Sequence, residues 1–287
     1  MSEFIKKALD CKGCSRWDRT KEKCKDSLEP TIPDDRGKKY CVSHKDYKTN
    51  MPTNGFKLIQ PKIKTKVWFV SDLHFGHSSI LIFHPWRLEA IGVTKEEFLT
   101  DKSKYTEIHD KWLVEKWNNT ISKHDTVYIL GDVSFGNKEY TEKLLQKLHG
   151  KKYLIKGNHD KPVNGLENYF EWVGDLKEVK FTNNQFPFID PSETFCCELC
   201  HYPLLTWNRR PHGSVMVHGH THSNANTINE LTGELRVDVG FDNPYWDYGF
   251  VELEKLYNYF KNIIKSHGFS TFQDYVNYLM ETQGYRI

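Results

Sequence analysis

The segment Val67-Trp-Phe-Val-Ser-Asp-Leu-His74 decides the fold of this 287-residue chain. Four apolar residues of the type found in strands buried on both faces run directly into an aspartate and a histidine. The segment Thr126-Val-Tyr-Ile-Leu-Gly-Asp132 repeats this pattern, and Lys152-Tyr-Leu-Ile-Lys-Gly-Asn158 repeats it again. We therefore expect three buried strands whose carboxyl ends carry polar residues.

The segments between these strands predict helices. Residues 107–121 place Ile108, Trp112, Leu113, Trp117 and Ile121 at helical spacing, and residues 140–149 place Leu144, Leu145 and Leu148 on one face before Gly150. Strand–helix–strand–helix–strand predicts a parallel α/β half. From about Trp172 we expect shorter strands at residues 194–200, 215–218, 235–239 and 249–253. Two amphipathic helices then end the chain, the second capped by Ser270 and Gln273.

Five short motifs in one order supply metal-ligand chemistry. They are Asp72-Leu-His74, Gly131-Asp132, Gly157-Asn158-His159-Asp160, His201 and Gly219-His220-Thr221-His222. A negative phosphoester repels its nucleophile, and two divalent cations roughly 3.5–4 Å apart overcome this by generating hydroxide and neutralising charge. A carboxylate with imidazole and oxygen ligands suits manganese, iron, zinc or nickel. The motifs therefore predict a two-metal phosphoester-cleaving site.

With these motifs, residues 66–255 resemble the calcineurin-like metallophosphoesterases, whose pattern is Asp-x-His, Gly-Asp, Gly-Asn-His-Asp/Glu, His, Gly-His-x-His. The resemblance implies an α/β fold of two sheets in a sandwich flanked by helices. It also implies that one metal is held by Asp72, His74 and His222, the other by Asn158, His201 and His220, and that Asp132 bridges them. His159 would contact phosphate and protonate the leaving oxygen, and a hydroxide bridging the metals would attack phosphorus.

Differences from the family pattern indicate which subgroup of the family this sequence resembles. Val-Ser-Phe-Gly follows Gly131-Asp132, where Ser/Thr protein phosphatases continue Asp-Arg-Gly, which argues against that activity. The segments Asp72-Leu-His-Phe-Gly-His77, Trp117-Asn118 and residues 125–132 are similar to small bacterial and phage phosphoesterases. His77 is either a residue that orients a ligand or meets phosphate, or a surface histidine. Arg209 and Arg210 are candidates to meet phosphate and Trp207 to stack on a base; the alternative is ordinary loop positions.

Charge divides the chain at about Lys66. Residues 1–66 hold 17 Lys and Arg against 9 Asp and Glu, whereas the whole chain is balanced at +2. Prolines and cysteines, with no sustained hydrophobic period, predict a small irregular basic module over 1–66 and a catalytic domain over 67–287. A basic arm suits a polyanion such as nucleic acid, but a solvated lysine-rich surface is the favoured explanation, because no basic stripe is interleaved with aromatic residues.

The seven cysteines form two groups. Cys11, Cys14, Cys24 and Cys41 suit a structural zinc, with His44 as a substitute ligand; free thiols and an iron–sulfur cluster are the alternatives. Cys197-Glu-Leu-Cys200-His201 matches a c-type haem attachment pattern, which we reject because the metal site needs His201. Cys196, Cys197 and Cys200 are instead expected to fill a buried strand.

The sequence thus predicts a dimetal phosphoesterase, with a phosphodiester or nucleotide favoured over a phosphomonoester. The rivals are a nuclease docked to nucleic acid by the basic module and a catalytically silent binding protein on the same fold. No apolar run approaches the roughly 18–20 residues that span a membrane, and the start lacks the apolar stretch of a signal peptide. A cytosolic protein without membrane contact is expected, and the sequence leaves its oligomeric state open.

Overall fold

The computed structural model describes residues 65–223 and 234–283, together with four short strands nearer the amino terminus. The chain divides into two compact units, residues 1–62 and residues 63–287. In the first unit β1 pairs with β2 and β3 with β4, both antiparallel. These strands are β1 (Trp17–Asp18), β2 (Lys23–Cys24), β3 (Thr31–Pro33) and β4 (Lys39–Cys41). The predicted module over 1–66 stays a prediction.

Two sheets build the larger unit. Their strands are β5 (Val67–Val70), β6 (Thr126–Ile129), β7 (Lys151–Ile155), β8 (Trp172–Gly174), β9 (Leu176–Thr182), β10 (Thr194–Cys200), β11 (Val215–His218), β12 (Arg236–Asp238) and β13 (Val251–Glu252). The first sheet has the order β13-β5-β6-β7-β8 and the second β12-β11-β10-β9. Within these two sheets β13 runs antiparallel to β5 and β9 runs antiparallel to β10, whereas the other neighbouring strands are parallel. Both sheets are therefore mixed, with parallel centres that align several strand ends on one edge.

Helices cover the outer faces of the two sheets. They are α1 (Ile80–Phe83), α2 (Trp86–Ala90), α3 (Lys95–Thr100), α4 (Lys102–Thr120), α5 (Lys138–Leu145), α6 (Leu253–Ser266) and α7 (Phe272–Gln283). In the described part of the larger unit, single-turn 3₁₀ segments lie at Lys161–Val163, Glu167–Tyr169, Arg210–His212 and Pro244–Trp246. Among the residues with described structure, none of these helices is both long and apolar enough to cross a bilayer.

The side chains of β5 alternate between two cores. Val67 and Phe69 pack between the sheets, and Phe69 meets Phe181 of β9 edge-on at 6.3 Å. Trp68 and Val70 face the opposite side, in a cluster that includes Trp117 of α4. This alternation explains the unbroken apolar run, because both faces of the strand are buried. The predicted sandwich of two sheets flanked by helices is confirmed.

Several predicted boundaries shift by a few residues. Helix α4 begins at Lys102 instead of residue 107, since the Asp101 side chain accepts from the Lys104 backbone N–H and caps the start. Ile108 is 36% exposed and therefore does not belong to the buried face of this helix as predicted. Helix α5 begins at Lys138 behind the Asn137 cap and ends at Leu145, before the predicted residue 149.

The cap of α7 lies one residue beyond the predicted one. Thr271 Oγ1 accepts from the Asp274 backbone N–H at 3.1 Å and donates to the Asp274 carboxylate at 2.7 Å. Threonine followed three residues later by an acid satisfies the same spacing rule as Ser270 and Gln273, so the sequence offered two caps in neighbouring registers.

Candidate metal centre

Residues of ligand type follow directly after five strands from both sheets. Asp72 and His74 come after β5, Asp132 after β6, Asn158 and His159 after β7, His201 after β10, and His220 and His222 after β11. Parallel strands bring their carboxyl ends to one edge, where α/β folds place their sites. Segments distant in sequence therefore meet at this edge.

One group of potential ligands joins Asp72, His74 and His222. The Nε2 atoms of both histidines lie 3.7 Å from Asp72 Oδ1. Two ligands of one Zn-sized ion sit about 2.0–2.2 Å from it, and are therefore about 3 to 4 Å apart. The three side chains have the spacing of ligands to a shared ion.

A second group joins Asp72, Asp132 and His201. Asp132 Oδ2 lies 3.7 Å from His201 Nε2 and 3.8 Å from His74 Nε2. His201 Nε2 is also 3.1 Å from Asn158 Oδ1 and 3.2 Å from His220 Nδ1. The Asp132 carboxylate thus stands between the two sets of residues, as a bridging ligand would.

The buried atoms of this centre fit a cation. Asp72 Oδ1 and both ring nitrogens of His74 are buried without a hydrogen-bond partner in the protein, an arrangement that costs free energy unless the atoms bind something. Burial alone would raise the pKa of Asp72, but His74 and the nearby His222 and His201 hold that pKa well below its usual range. Burial lowers the pKa of His74. An ionised carboxylate and a neutral imidazole are the protonation states that bind divalent metals.

Backbone strain concentrates at the same residues. Asp72, His74, Asp132, His220 and His222 all have left-handed φ values, between 45° and 69°. Such φ values are uncommon outside glycine and tend to persist at functional sites, where the surrounding structure enforces them. Gly131 has φ 91°, and a Cβ there would stand 2.5 Å from His201 Nδ1. The absence of a side chain at Gly131 therefore lets the backbone after β6 lie close to the His201 ring.

Asp160 holds the site together without being a predicted ligand. Its buried carboxylate accepts the backbone N–H groups of Asp132 at 2.9 Å, Val133 at 2.9 Å and Gly157 at 2.7 Å. The Asp132 carboxylate accepts the His159 N–H at 2.9 Å in turn. The ends of β6 and β7 are therefore fixed to each other by carboxylates.

We expect Asp160→Asn to lower the free energy of unfolding by about 3 kcal/mol or more, because each backbone donor left without an acceptor costs about 1–3 kcal/mol. An amide keeps one acceptor oxygen and turns N–H groups toward the donors. Urea unfolding of the metal-stripped protein measures the loss. The control is Asp190→Asn, whose carboxylate accepts from Ser192 in an exposed turn. Equal, small effects of both substitutions would contradict this role of Asp160.

The open side of the centre carries His159 and His77. His159 is exposed, and its ring lies 4.3 Å from that of Phe135. Phe135 also stacks on His77, with ring centroids 3.9 Å apart, and His77 lies 5.4 Å from the His74 ring. The structure therefore places His77 beside the predicted ligands. Whether it meets phosphate stays a prediction.

His77 gives the metal-stripped protein a pH dependence. Burial, and then repulsion from the neighbouring His74 and His159 rings when these are protonated, lowers the pKa of His77 to about 4. A histidine with a lowered pKa in the folded state stabilises the fold above the unfolded-state value of about 6.5. That contribution is lost as the pH falls from about 6.5 toward 4.

We therefore expect the wild type to lose more unfolding free energy than His77→Asn between about pH 7.5 and pH 5. Thermal and urea unfolding at both pH values measure the difference. His124→Asn, at an exposed histidine, should follow the wild type. A His77→Asn profile parallel to that of the wild type would count against this assignment.

The predicted substrate residues Arg209, Arg210 and Trp207 make their contacts elsewhere. Trp207 is buried, and its indole N–H donates to Ser214, so the proposed stacking on a base is wrong. The Arg210 guanidinium lies over the Trp207 ring at 5.0 Å. Arg209 faces Glu178 at 3.9 Å. A phosphate role for the two arginines stays a prediction that these contacts do not support.

The structure describes the side chains of one of the two groups of cysteines. Cys196, Cys197 and Cys200 are buried in β10 and form no disulfide, which confirms them as strand fillers. Burial raises the pKa of Cys196 to about 11, so it stays a thiol. Cys11, Cys14 and His44 lie outside the described residues, as do the side chains of Cys24 and Cys41. The zinc site stays a prediction.

Sequence reasoning missed Asp160, Asp242 and Arg87. Asp160 stands inside a quoted motif, but two of its backbone donors, on Asp132 and Val133, lie 28 and 27 residues away, so no local pattern marked its role. Asp242 follows β12 and bonds His222 at 2.8 Å; an acid just beyond a strand end was the available signal. Nothing local marks Arg87, since its partner Asp242 is 155 residues away.

The sequence of this chain matches a protein family and several individual proteins. Residues 65–259 match the family model described as calcineurin-like phosphoesterase. The gene 66 protein of Mycobacterium phage L5 is 26% identical over 72% of this chain and its whole length. The gene 66 protein of Mycobacterium phage D29 is 29% identical over 62% of this chain and 88% of its own.

Two further similarities come from an archaeon and a bacterium. The uncharacterized protein MJ1445 of Methanocaldococcus jannaschii is 25% identical over 55% of this chain and 70% of its own. A crystal structure of the protein of unknown function AQ665 from Aquifex aeolicus aligns with a TM-score of 0.47 at 20% identity, over 68% of this chain and 98% of that one. The family match covers most of the chain, including every motif around the candidate metal centre, and so this chain belongs to the calcineurin-like phosphoesterase family.

Proposed function

We propose that this chain hydrolyses a phosphodiester or a nucleotide at a site that binds two divalent cations. The observation that carries the proposal is the position of Asp132, whose Oδ2 lies within 3.8 Å of both His74 Nε2 and His201 Nε2. A carboxylate between two groups of ligands suits a pair of ions. Such ions, when bound, lower the pKa of water and neutralise charge on the phosphoryl group.

The chain's own residues divide this work. Asp72, His74 and His222 would hold one ion, Asn158, His201 and His220 would hold the other, and Asp132 would contribute to both. Imidazole, carboxylate and amide ligands suit manganese, iron, zinc or nickel. Asp72, His74, Asp132 and His201 are buried, whereas Asn158, His159 and His220 are exposed. The substrate would therefore approach from the side of the exposed residues.

His159 acts as the general acid in this proposal. Its backbone is fixed by the bond to Asp132, while its exposed ring lies against Phe135. The imidazolium donates a proton to the leaving oxygen as the phosphorus–oxygen bond breaks. The same proton helps to stabilise the charge that develops on that oxygen.

The proposed preference for a diester or nucleotide rests on charge. Residues 1–66 carry eight more basic than acidic residues, and a basic segment raises the local concentration of polyanions. Phosphomonoesters are the alternative substrate class, because the same chemistry would hydrolyse them.

The test is turnover of bis-p-nitrophenyl phosphate and p-nitrophenyl phosphate by metal-stripped protein with added Mn²⁺. We expect faster cleavage of the diester. Faster cleavage of the monoester would overturn the substrate class but keep the hydrolase. Absence of turnover on both substrates, with two ions bound, would favour a binding protein on this fold.

The basic segment supports a second candidate, a nuclease that docks on nucleic acid through residues 1–66. Neutralising several phosphates would make binding fall steeply with salt. Full-length protein and a variant lacking residues 1–62 should then differ in affinity for single- and double-stranded DNA and RNA. Equal, salt-insensitive or absent binding by both proteins would exclude this candidate.

A further inference from the structure

His222 lies between two carboxylates. Its Nε2 faces Asp72 Oδ1 at 3.7 Å, on the side of the proposed ion. Its Nδ1 faces Asp242 Oδ2 at 2.8 Å, a hydrogen-bonding distance. An imidazole that binds a metal through one nitrogen needs its proton on the other. The acceptor at Nδ1 therefore decides whether Nε2 has a free lone pair.

Asp242 is itself held by a buried arginine. The Arg87 guanidinium donates to Asp242 Oδ1 at 2.8 Å and to Oδ2 at 3.0 Å, and the Trp86 indole N–H adds a bond to Oδ1 at 2.9 Å. The side chains of Arg87 and Asp242 are both fully buried. A two-point arginine–carboxylate pair fixes the orientation of the carboxylate as well as its position.

Arg87 also reaches the segment that carries Asp72. It donates to the backbone carbonyls of Asp72 and Leu73, each at 2.9 Å. One guanidinium thus joins the end of β5 to the segment after β12. This link sets the distance between Asp72 and Asp242, and with it the position of the His222 ring between them.

His84, His222 and Asp242 also have the spacing of a potential ion site. The contacts of Asp242 argue against one there, because the Arg87 cation already occupies both carboxylate oxygens. His84 lies face to face with His222, with ring centroids 4.7 Å apart, and covers that ring. The group therefore supports His222 instead of binding an ion of its own.

We propose that Arg87 and Asp242 are positioning residues for the ion held by Asp72, His74 and His222. Asp242 accepts the Nδ1 proton of His222 and leaves Nε2 free to face the ion, while Arg87 keeps Asp242 and Asp72 in register. This rests on the proposed dimetal function and extends it, because it assigns a selective effect to one of the two ions. Partners of this kind typically change metal affinity about 10–100-fold.

Asp242→Asn separates this role from simple packing. The Arg87 donors attract the remaining amide oxygen, which turns the amide N–H₂ toward His222 Nδ1 and favours the Nε2-protonated ring. Calorimetric titration of metal-stripped protein with Mn²⁺ should show two sites in the wild type. In the variant we expect one site weakened about 10–100-fold and the other retained.

A matched control is available in another buried ion pair. Lys261 of α6 and Glu193 are 2.9 Å apart, with side chains 9% and 8% exposed. Glu193→Gln should lower stability while both Mn²⁺ affinities stay at wild-type values. Should the two variants weaken both sites alike, the effect is general loosening, and the positioning role is wrong.

The outcomes distinguish this inference from the proposed function. Two wild-type Mn²⁺ sites that persist unchanged in Asp242→Asn overturn the positioning role and leave the function standing. A wild type without two sites overturns both. If Asp242→Asn does not fold, long-range proton–nitrogen spectra of the Zn²⁺-bound wild type decide. A proton on His222 Nδ1 supports the role, and one on Nε2 overturns it.

Discussion

Replacing Asp132 by asparagine is expected to lower kcat/KM for phosphoester hydrolysis on the order of 10³-fold or more, since metal assistance is worth several kcal/mol. The carboxylate stands between His74 and His201, within 3.8 Å of each Nε2. Asparagine keeps the shape and one oxygen, but it removes the negative charge that two adjacent cations need. We therefore expect weaker binding of the ions as well as slower turnover.

The measurement is turnover of bis-p-nitrophenyl phosphate with Mn²⁺, together with the number of ions bound per chain. Asp175→Asn is the control, because its carboxylate is exposed and pairs with Lys156. The control should match the wild type in both readouts. Wild-type turnover by folded Asp132→Asn would remove this residue from the site.

Replacing His159 by alanine is expected to lower kcat about 10²- to 10⁴-fold, the usual contribution of a general acid. The number of bound ions should stay at two, because the ring is exposed at the open side and is not a proposed ligand. The loss should depend on the leaving group. A p-nitrophenolate leaves without much protonation, so phenyl esters should suffer more than p-nitrophenyl esters.

Leaving-group dependence measured on a series of aryl esters distinguishes an acid from a structural residue. His124→Ala, at an exposed histidine near the start of β6, should leave the series unchanged. A uniform loss across all leaving groups in His159→Ala would assign the residue to phosphate binding. Rates equal to those of the wild type would exclude it from the reaction.

The fold and the candidate ligands were predictable because their signals are local. Each of the strands β5, β6 and β7 contains an apolar run of three or four residues that is followed by a short motif, and the order of the motifs carries the family resemblance. The parallel sheet follows from the alternation of strands and helices. The predicted start of α4 and the predicted cap of α7 were wrong for the same reason. Residues able to cap a helix lay within a few positions of each other near Lys102 and near Thr271, and local patterns did not distinguish them.

Contacts between segments that are distant in sequence could not be predicted from local sequence patterns. Arg87 meets Asp242 across 155 residues and the Asp72 backbone across 15. Neither spacing leaves a pattern in the sequence, and an arginine on a short helix is most often solvated. Trp207 shows the reverse case, since an aromatic residue near His201 suggested a substrate contact but packs against Ser214 instead.

Crystals grown with Mn²⁺ and measured at wavelengths on both sides of the manganese absorption edge test the central claim most directly. The account predicts two anomalous peaks about 3.5–4 Å apart, one beside Asp72, His74 and His222 and one beside Asn158, His201 and His220. Asp132 should lie between the two peaks. A single peak, or none, at this edge of an intact fold would contradict a dimetal centre.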